Sequence, residues 1–193
     1  MQPQIQAAYG DWAEELCAAG YRPYFLSFMF EPLGGSARSV GAQILREIER
    51  VYHLHVTRVV RKPNSLSHLH ERPVWLCGLD RPVFKHAKAS LLDVAINDGL
   101  HGHAVAFYWP CSRLREDLTE HFEAHRDLYF GRQRPLMRID VEPINTRPNY
   151  VTKYGFKSIG RGGLTGDDVL ILPAERRAAR ARFRSKSPAM LTL

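Results

Sequence analysis

Apolar positions along the chain recur with two periods, and the changes between them mark out its elements. Residues 11–19 have helical spacing that Gly20 closes, and residues 24–30, Tyr-Phe-Leu-Ser-Phe-Met-Phe, form an aromatic run of strand length. Pro32 and the Gly34-Gly35 pair end that run. Ser36 is placed to cap a helix whose Val40, Ile44, Leu45, Ile48 and Val51 share one face. Residues 53–60 and 73–79 read as two further strands, with a polar stretch over 62–72 between them. Two β-like runs, 91–96 and 100–108, flank Asn97-Asp98-Gly99 and predict a hairpin. Residues 113–128 are charged and amphipathic, as in a helix, and residues 136–141 return to alternation. Pro148 opens a predicted helix over 149–159, and the glycines at 160, 162 and 163 end it.

Strands and helices mixed with antiparallel turns predict an α+β fold: an antiparallel central sheet with helices packed on it. The chain of 193 residues is long enough for one core, so one domain over 1–173 with a basic tail over 174–193 is expected. That tail carries Arg176, Arg177, Arg180, Arg182, Arg184 and Lys186 against a single acid, Glu175. Such a segment reads equally as a solvated end or as an arm that tracks a phosphate backbone.

Charge narrows the choice of partner. A formal net charge of +7 favours an anionic partner such as nucleic acid, because basic side chains gain affinity by releasing phosphate counterions. Cys17, Cys77 and Cys111 are odd in number and widely spaced, which fits neither a metal knuckle nor a disulfide framework and suits a reducing compartment. No stretch approaches the ~20 apolar residues of a membrane helix, and residues 1–9 lack the design of a signal peptide. A cytoplasmic location is therefore expected. A phosphate-binding loop of GxxxxGK[ST] form is absent from the sequence, so any unwinding motor would be another protein.

Two constellations carry candidate chemistry. In residues 150–157, Tyr150, Lys153, Tyr154 and Lys157 fall on one helical face. A neighbouring ammonium group favours the phenolate of a tyrosine and attracts a phosphate, although tyrosines and lysines at this spacing also serve simply as amphipathic packing. In His101-Gly-His103, strand geometry puts both imidazoles on one face, as a divalent ion requires. The same pattern occurs at His53/His55 and His68/His70, so position decides: only His101 and His103 follow a turn inside a long apolar strand. With a three-residue hairpin loop, Asp93 falls opposite His103 as a third ligand, whereas a two-residue loop leaves it behind, with His86 and Asp98 as substitutes.

Taken in order, residues 24–30, the His101–His103 pair and the Tyr-x-x-Lys-Tyr-x-x-Lys segment resemble the three motifs of HUH endonucleases. The likeness is to the two-tyrosine rolling-circle replication initiators of isometric phages and inoviruses, and it spans residues 24–159. The resemblance implies a ferredoxin-like, HUH-type sheet. It implies Mg²⁺ or Mn²⁺ on His101 and His103, and attack by Tyr150 or Tyr154 on single-stranded DNA at a replication origin. A 5′-phosphotyrosine link would form, and a host helicase and polymerase would be the partners. Lys153 and Lys157 would neutralise phosphate, and Arg147, Arg161, Arg176, Arg177 and Arg180 would hold the backbone. The chain departs from the family at Gly102, where a bulky hydrophobic residue is usual and would anchor the strand better. Two other readings follow: a DNA-binding protein of the same fold that no longer nicks, and a metal-dependent hydrolase built on His53, His55, His68 and His70.

Overall fold

The computed structural model describes residues 2–80, 96–110, 112–114, 116–131, 133–145 and 169–174. Helix α1 (Gln2–Ala18) ends where Gly20 takes a φ of 93°, a left-handed turn open to glycine at little cost. Strand β1 (Arg22–Phe30) follows, burying Tyr24, Leu26, Phe28 and Phe30 on one face in strict alternation. The side chain of Ser36 accepts a hydrogen bond from the Ser39 amide at 3.3 Å and so caps helix α2 (Ala37–Val59).

Helix α2 runs through the segment expected to be a strand over 53–60. Val51, Tyr52, His55, Val56 and Val59 are all buried and continue the stripe begun by Val40, Ile44 and Ile48. The 3.6-residue period of this stripe outweighs the β-branched residues that suggested a strand. A 3₁₀ segment (Leu66–Glu71) leads to strand β2 (Val74–Asp80), buried along its whole length.

Strand β3 (His101–Tyr108) lies at the centre of a five-stranded antiparallel sheet of order β4-β1-β3-β2-β5, in which β4 is Leu136–Pro143 and β5 is Leu170–Leu172. Both β1 and β3 are inner strands, as their continuous apolar character requires. Of the hairpin expected around residues 97–99, residues 91–95 lie outside the described residues, and both edges of β3 are taken, one by β1 and the other by β2. Ile96–Gly99 make a 3₁₀ turn, with Asn97 at a φ of 56°. The Asn97 side chain accepts from the Leu33 amide at 2.6 Å and donates to the Glu31 carbonyl at 3.1 Å, fastening the turn to the end of β1.

The helix expected over 113–128 is broken into α3 (Leu118–Ala124), capped by Asp117, and α4 (Arg126–Tyr129). Each face of the sheet has a core. On one, α2 and α3 bury Ile44, Ile48, Val51, Trp75, Ala104, Leu118 and Phe122. On the other, α1 packs Ala13 and Leu16 over Val74, Leu76, Val105 and Phe107.

Candidate metal centre

Three facing side chains at one end of the α1 face form the candidate centre. Asp80, the last residue of β2, is the direct cross-strand partner of His101, and Gly78 is the partner of His103. Cross-strand partners share a sheet face, and Gly78 contributes no side chain there. Asp80, His101 and His103 therefore offer ligand atoms all within 4.8 Å of one another. The Nε2 atoms of the two imidazoles are 2.8 Å apart, and Nε2 of His103 is 3.8 Å from an Asp80 carboxylate oxygen. Metal–ligand bonds of about 2.1 Å meeting at right angles put neighbouring ligand atoms about 3 Å apart, so these separations suit one ion.

The outer atoms of both rings are held. Nδ1 of His101 donates to the Gly99 carbonyl at 2.8 Å, which leaves its Nε2 lone pair facing the centre. Nδ1 of His103 lies 3.1 Å from the Ser27 hydroxyl on β1, and the Phe25 ring packs against the same imidazole at 4.8 Å. Asp80 is only 2% exposed, whereas both imidazoles are half-buried. Two imidazoles and one carboxylate suit a divalent transition ion such as Mn²⁺ better than Mg²⁺, which prefers an all-oxygen shell.

Gly102 has a packing reason. It points to the opposite face, where a Cβ would stand 2.6 Å from Cδ1 of Ile48 and 3.2 Å from Cγ2 of Ile44. Helix α2 thus lies close on β3 directly behind the histidine pair, and the glycine permits that approach.

The structure brings His101 and His103 together, as their spacing predicts. Asp93 and the substitute His86 lie outside the described residues, as do Tyr150, Lys153, Tyr154, Lys157, Arg147, Arg161, Arg176, Arg177 and Arg180. Among the described residues the carboxylate that meets the imidazoles is Asp80. Its signal in the sequence is the alternation Leu76, Gly78, Asp80, which continues the β2 face one residue beyond the expected strand end.

His53, His55, His68 and His70 do not gather into one site. His53 is exposed on α2 beside Glu49, His55 is fully buried, and His68 bonds locally to Ser65 and Ser67. A different histidine pair does converge on the α2 face, where Glu116, His121 and His125 form a second group able to hold an ion. The spacing His121-x-x-x-His125 on a helix was its sequence signal.

From this group a chain of hydrogen bonds enters the core. Its links join the Glu116 carboxylate to His121 Nδ1 (2.6 Å), His121 Nε2 to the Tyr129 hydroxyl (2.9 Å), and that hydroxyl to His55 Nδ1 (3.0 Å). His55 Nε2 then meets the Tyr108 hydroxyl at 2.8 Å, to which Trp75 Nε1 donates at 3.3 Å. An indole N–H only donates and a carboxylate only accepts, so every proton in the chain is directed from Trp75 toward Glu116. Burial, helped by the neighbouring His121, holds the His55 imidazole well below the usual histidine range and keeps it neutral. Burial raises the Tyr108 and Tyr129 hydroxyls. His121 is lowered chiefly by burial, while its hydrogen bond to Glu116 opposes the shift and holds that carboxyl down.

Among known proteins, no family model, no curated protein and no solved structure matches this chain.

Proposed function

We propose that the chain is a metal-dependent nickase and strand transferase for single-stranded DNA, of the rolling-circle initiator kind. The observation that supports this reading best is the convergence of His101 and His103 with a buried carboxylate, Asp80, at the start of the central antiparallel strand β3. An ion held by these three residues supplies electrophilic activation of a phosphate oxygen. The formal charge of +7 supports an anionic polymer as the substrate.

In this reading Tyr150 or Tyr154, as the phenolate, attacks the phosphorus in line. The new O–P bond leaves the 5′ phosphate on the tyrosine, the P–O3′ bond breaks, and the departing 3′ oxygen takes a proton from water. Lys153 and Lys157 neutralise phosphate charge, and Arg147, Arg161 and the tail arginines Arg176, Arg177 and Arg180 grip the backbone. The second tyrosine repeats the attack on a regenerated site. The alternative reading, a binder of the same fold that no longer nicks, drew on Gly102, and the packing of Ile48 and Ile44 against that residue gives the glycine a structural reason of its own.

The test is a labelled single-stranded oligonucleotide library incubated with Mn²⁺ and resolved under denaturing conditions. A protein–DNA adduct is expected from the unaltered chain and none from the Tyr150→Phe/Tyr154→Phe variant. An adduct that survives in that double variant, or none from the unaltered chain on any substrate, overturns the reading.

A further inference from the structure

We infer that Glu116, His121 and His125 form a second metal site, separate from the His101–His103 centre and selective for a borderline transition ion of the Zn²⁺ class. Glu116 stands just before the Asp117 cap of α3, and His121 and His125 lie one turn apart at the other end of that helix. Their rings stack with centroids 4.5 Å apart and planes 29° apart. Nδ1 of His121 meets one oxygen of Glu116 at 2.6 Å, and Nδ1 of His125, which donates to the His121 carbonyl at 3.0 Å, lies 3.9 Å from the same oxygen.

The surroundings are those of a built site. His121 is 2% exposed and its far nitrogen is fixed by the buried Tyr129 hydroxyl, the kind of outer partner that orients a ligating imidazole. The side chains of Glu116 and His125 remain 32% and 40% exposed, leaving a path for the ion and room for water as a further ligand. Two nitrogens and one oxygen favour Zn²⁺ over Mg²⁺ or Ca²⁺. Arg58 on α2 acts against a cation here, and the Glu116 charge offsets it.

Binding has a consequence that an incidental cluster would lack. Without the ion, His121 carries its proton on Nδ1 and accepts from Tyr129 through Nε2, as the directed chain requires. An ion on Nδ1 needs that lone pair, so the neutral ring must carry its proton on Nε2 instead. Toward His121 the Tyr129 hydroxyl then turns from donor to acceptor, and because His55 already donates to it, its own proton must find a new partner. His121 changes tautomer while keeping one proton.

The experiment uses the full chain with His101→Ala and His103→Ala, which removes the first centre. Titrated with Zn²⁺, or with Co²⁺ as a spectroscopic probe, this variant should bind one equivalent. Adding His125→Ala or Glu116→Gln, both on the solvent side, should weaken binding at least about tenfold. In ¹⁵N-resolved spectra His121 should gain a slowly exchanging Nε2–H as the ion is added. Failure of the His101→Ala/His103→Ala protein to bind overturns the inference. So does binding that neither added substitution weakens, or an unchanged His121 tautomer at saturation. Circular dichroism of each variant separates lost binding from lost folding.

Discussion

Ser27 on β1 reaches across to its direct cross-strand partner His103, its hydroxyl 3.1 Å from Nδ1. The contact answers a proton problem. His101 presents a lone pair at Nε2 because its Nδ1 donates to Gly99, and Nε2 of His103 stands 2.8 Å away, so without an ion His103 supplies the proton between them. Its Nδ1 then accepts from Ser27. With an ion held on both Nε2 atoms, His103 would carry its proton on Nδ1 and Ser27 would be the acceptor. A hydroxyl serves in both states. Ser27→Ala is therefore expected to weaken Mn²⁺ binding by about tenfold in calorimetry, and Ser27→Thr to retain it.

The third ligand gives a second prediction. Asp80→Asn keeps size but removes the charge facing the imidazoles, and should lower Mn²⁺ affinity by at least about tenfold. Asp93→Asn should leave it unchanged. The opposite ranking in calorimetry would assign the ligand to Asp93.

Gly102 gives a stability prediction. Gly102→Ala forces a Cβ to within 2.6 Å of Ile48 Cδ1, which should cost about 1–3 kcal/mol of unfolding free energy in urea titrations. Ile48→Val removes the obstructing methyl group. The Gly102→Ala/Ile48→Val double variant should therefore be more stable than the two single costs added together, a coupling a double-mutant cycle measures directly.

The buried chain from Trp75 to Glu116 predicts a sign for the pH dependence. In the folded protein His55 is lowered by burial and stays neutral, whereas in the unfolded chain it takes up a proton as pH falls through about 6.5. Stability is then full above that value and falls on acidification, by up to about 1.4 kcal/mol per pH unit for this one group, until the folded pKa is reached. His121 is lowered too and adds in the same direction. Urea midpoints at pH 7.5 and 5.5, measured with a chelator present, should therefore differ with the lower pH less stable. Equal midpoints would contradict the assignment.

Tyr108→Phe breaks the same chain at its core end. It leaves Trp75 Nε1 without this acceptor and His55 Nε2 without this donor, in a fully buried setting. A loss of about 1–3 kcal/mol is expected, more than a typical exposed Tyr→Phe change, with thermal denaturation as the measurement.

What could be read beforehand follows a physical division. Strands β1 and β3 were legible because uninterrupted apolar and aromatic runs fit only an inner strand, and the two-residue period alone puts His101 and His103 on one face. The last two turns of α2 were misread because Val56, Val59 and the capping Val60 suit a strand locally, although the helical stripe begun by Val40 runs on through Val59. Asp80 was hidden for a different reason. Its meeting with His101 depends on β2 lying beside β3, a non-local pairing that the turn chemistry of residues 97–99 pointed away from. The spacing of His121 and His125 could be seen in the sequence, whereas Glu116 joins them only through the way the chain enters α3 at its Asp117 cap.

The candidate ligands of the first centre sit on β2 and β3, inner strands of the sheet, with His103 flanked by Ser27 on one side and Gly78 on the other. A group held between two paired neighbours shifts little unless the sheet itself opens. The centre behaves as a fixed gauge, with little capacity to widen for a larger ion or to close around a reacting group. Under the proposed reaction, motion would then come from what arrives there: the strand of nucleic acid and the nucleophile would do the travelling, while the sheet would serve as the stationary half of the machine.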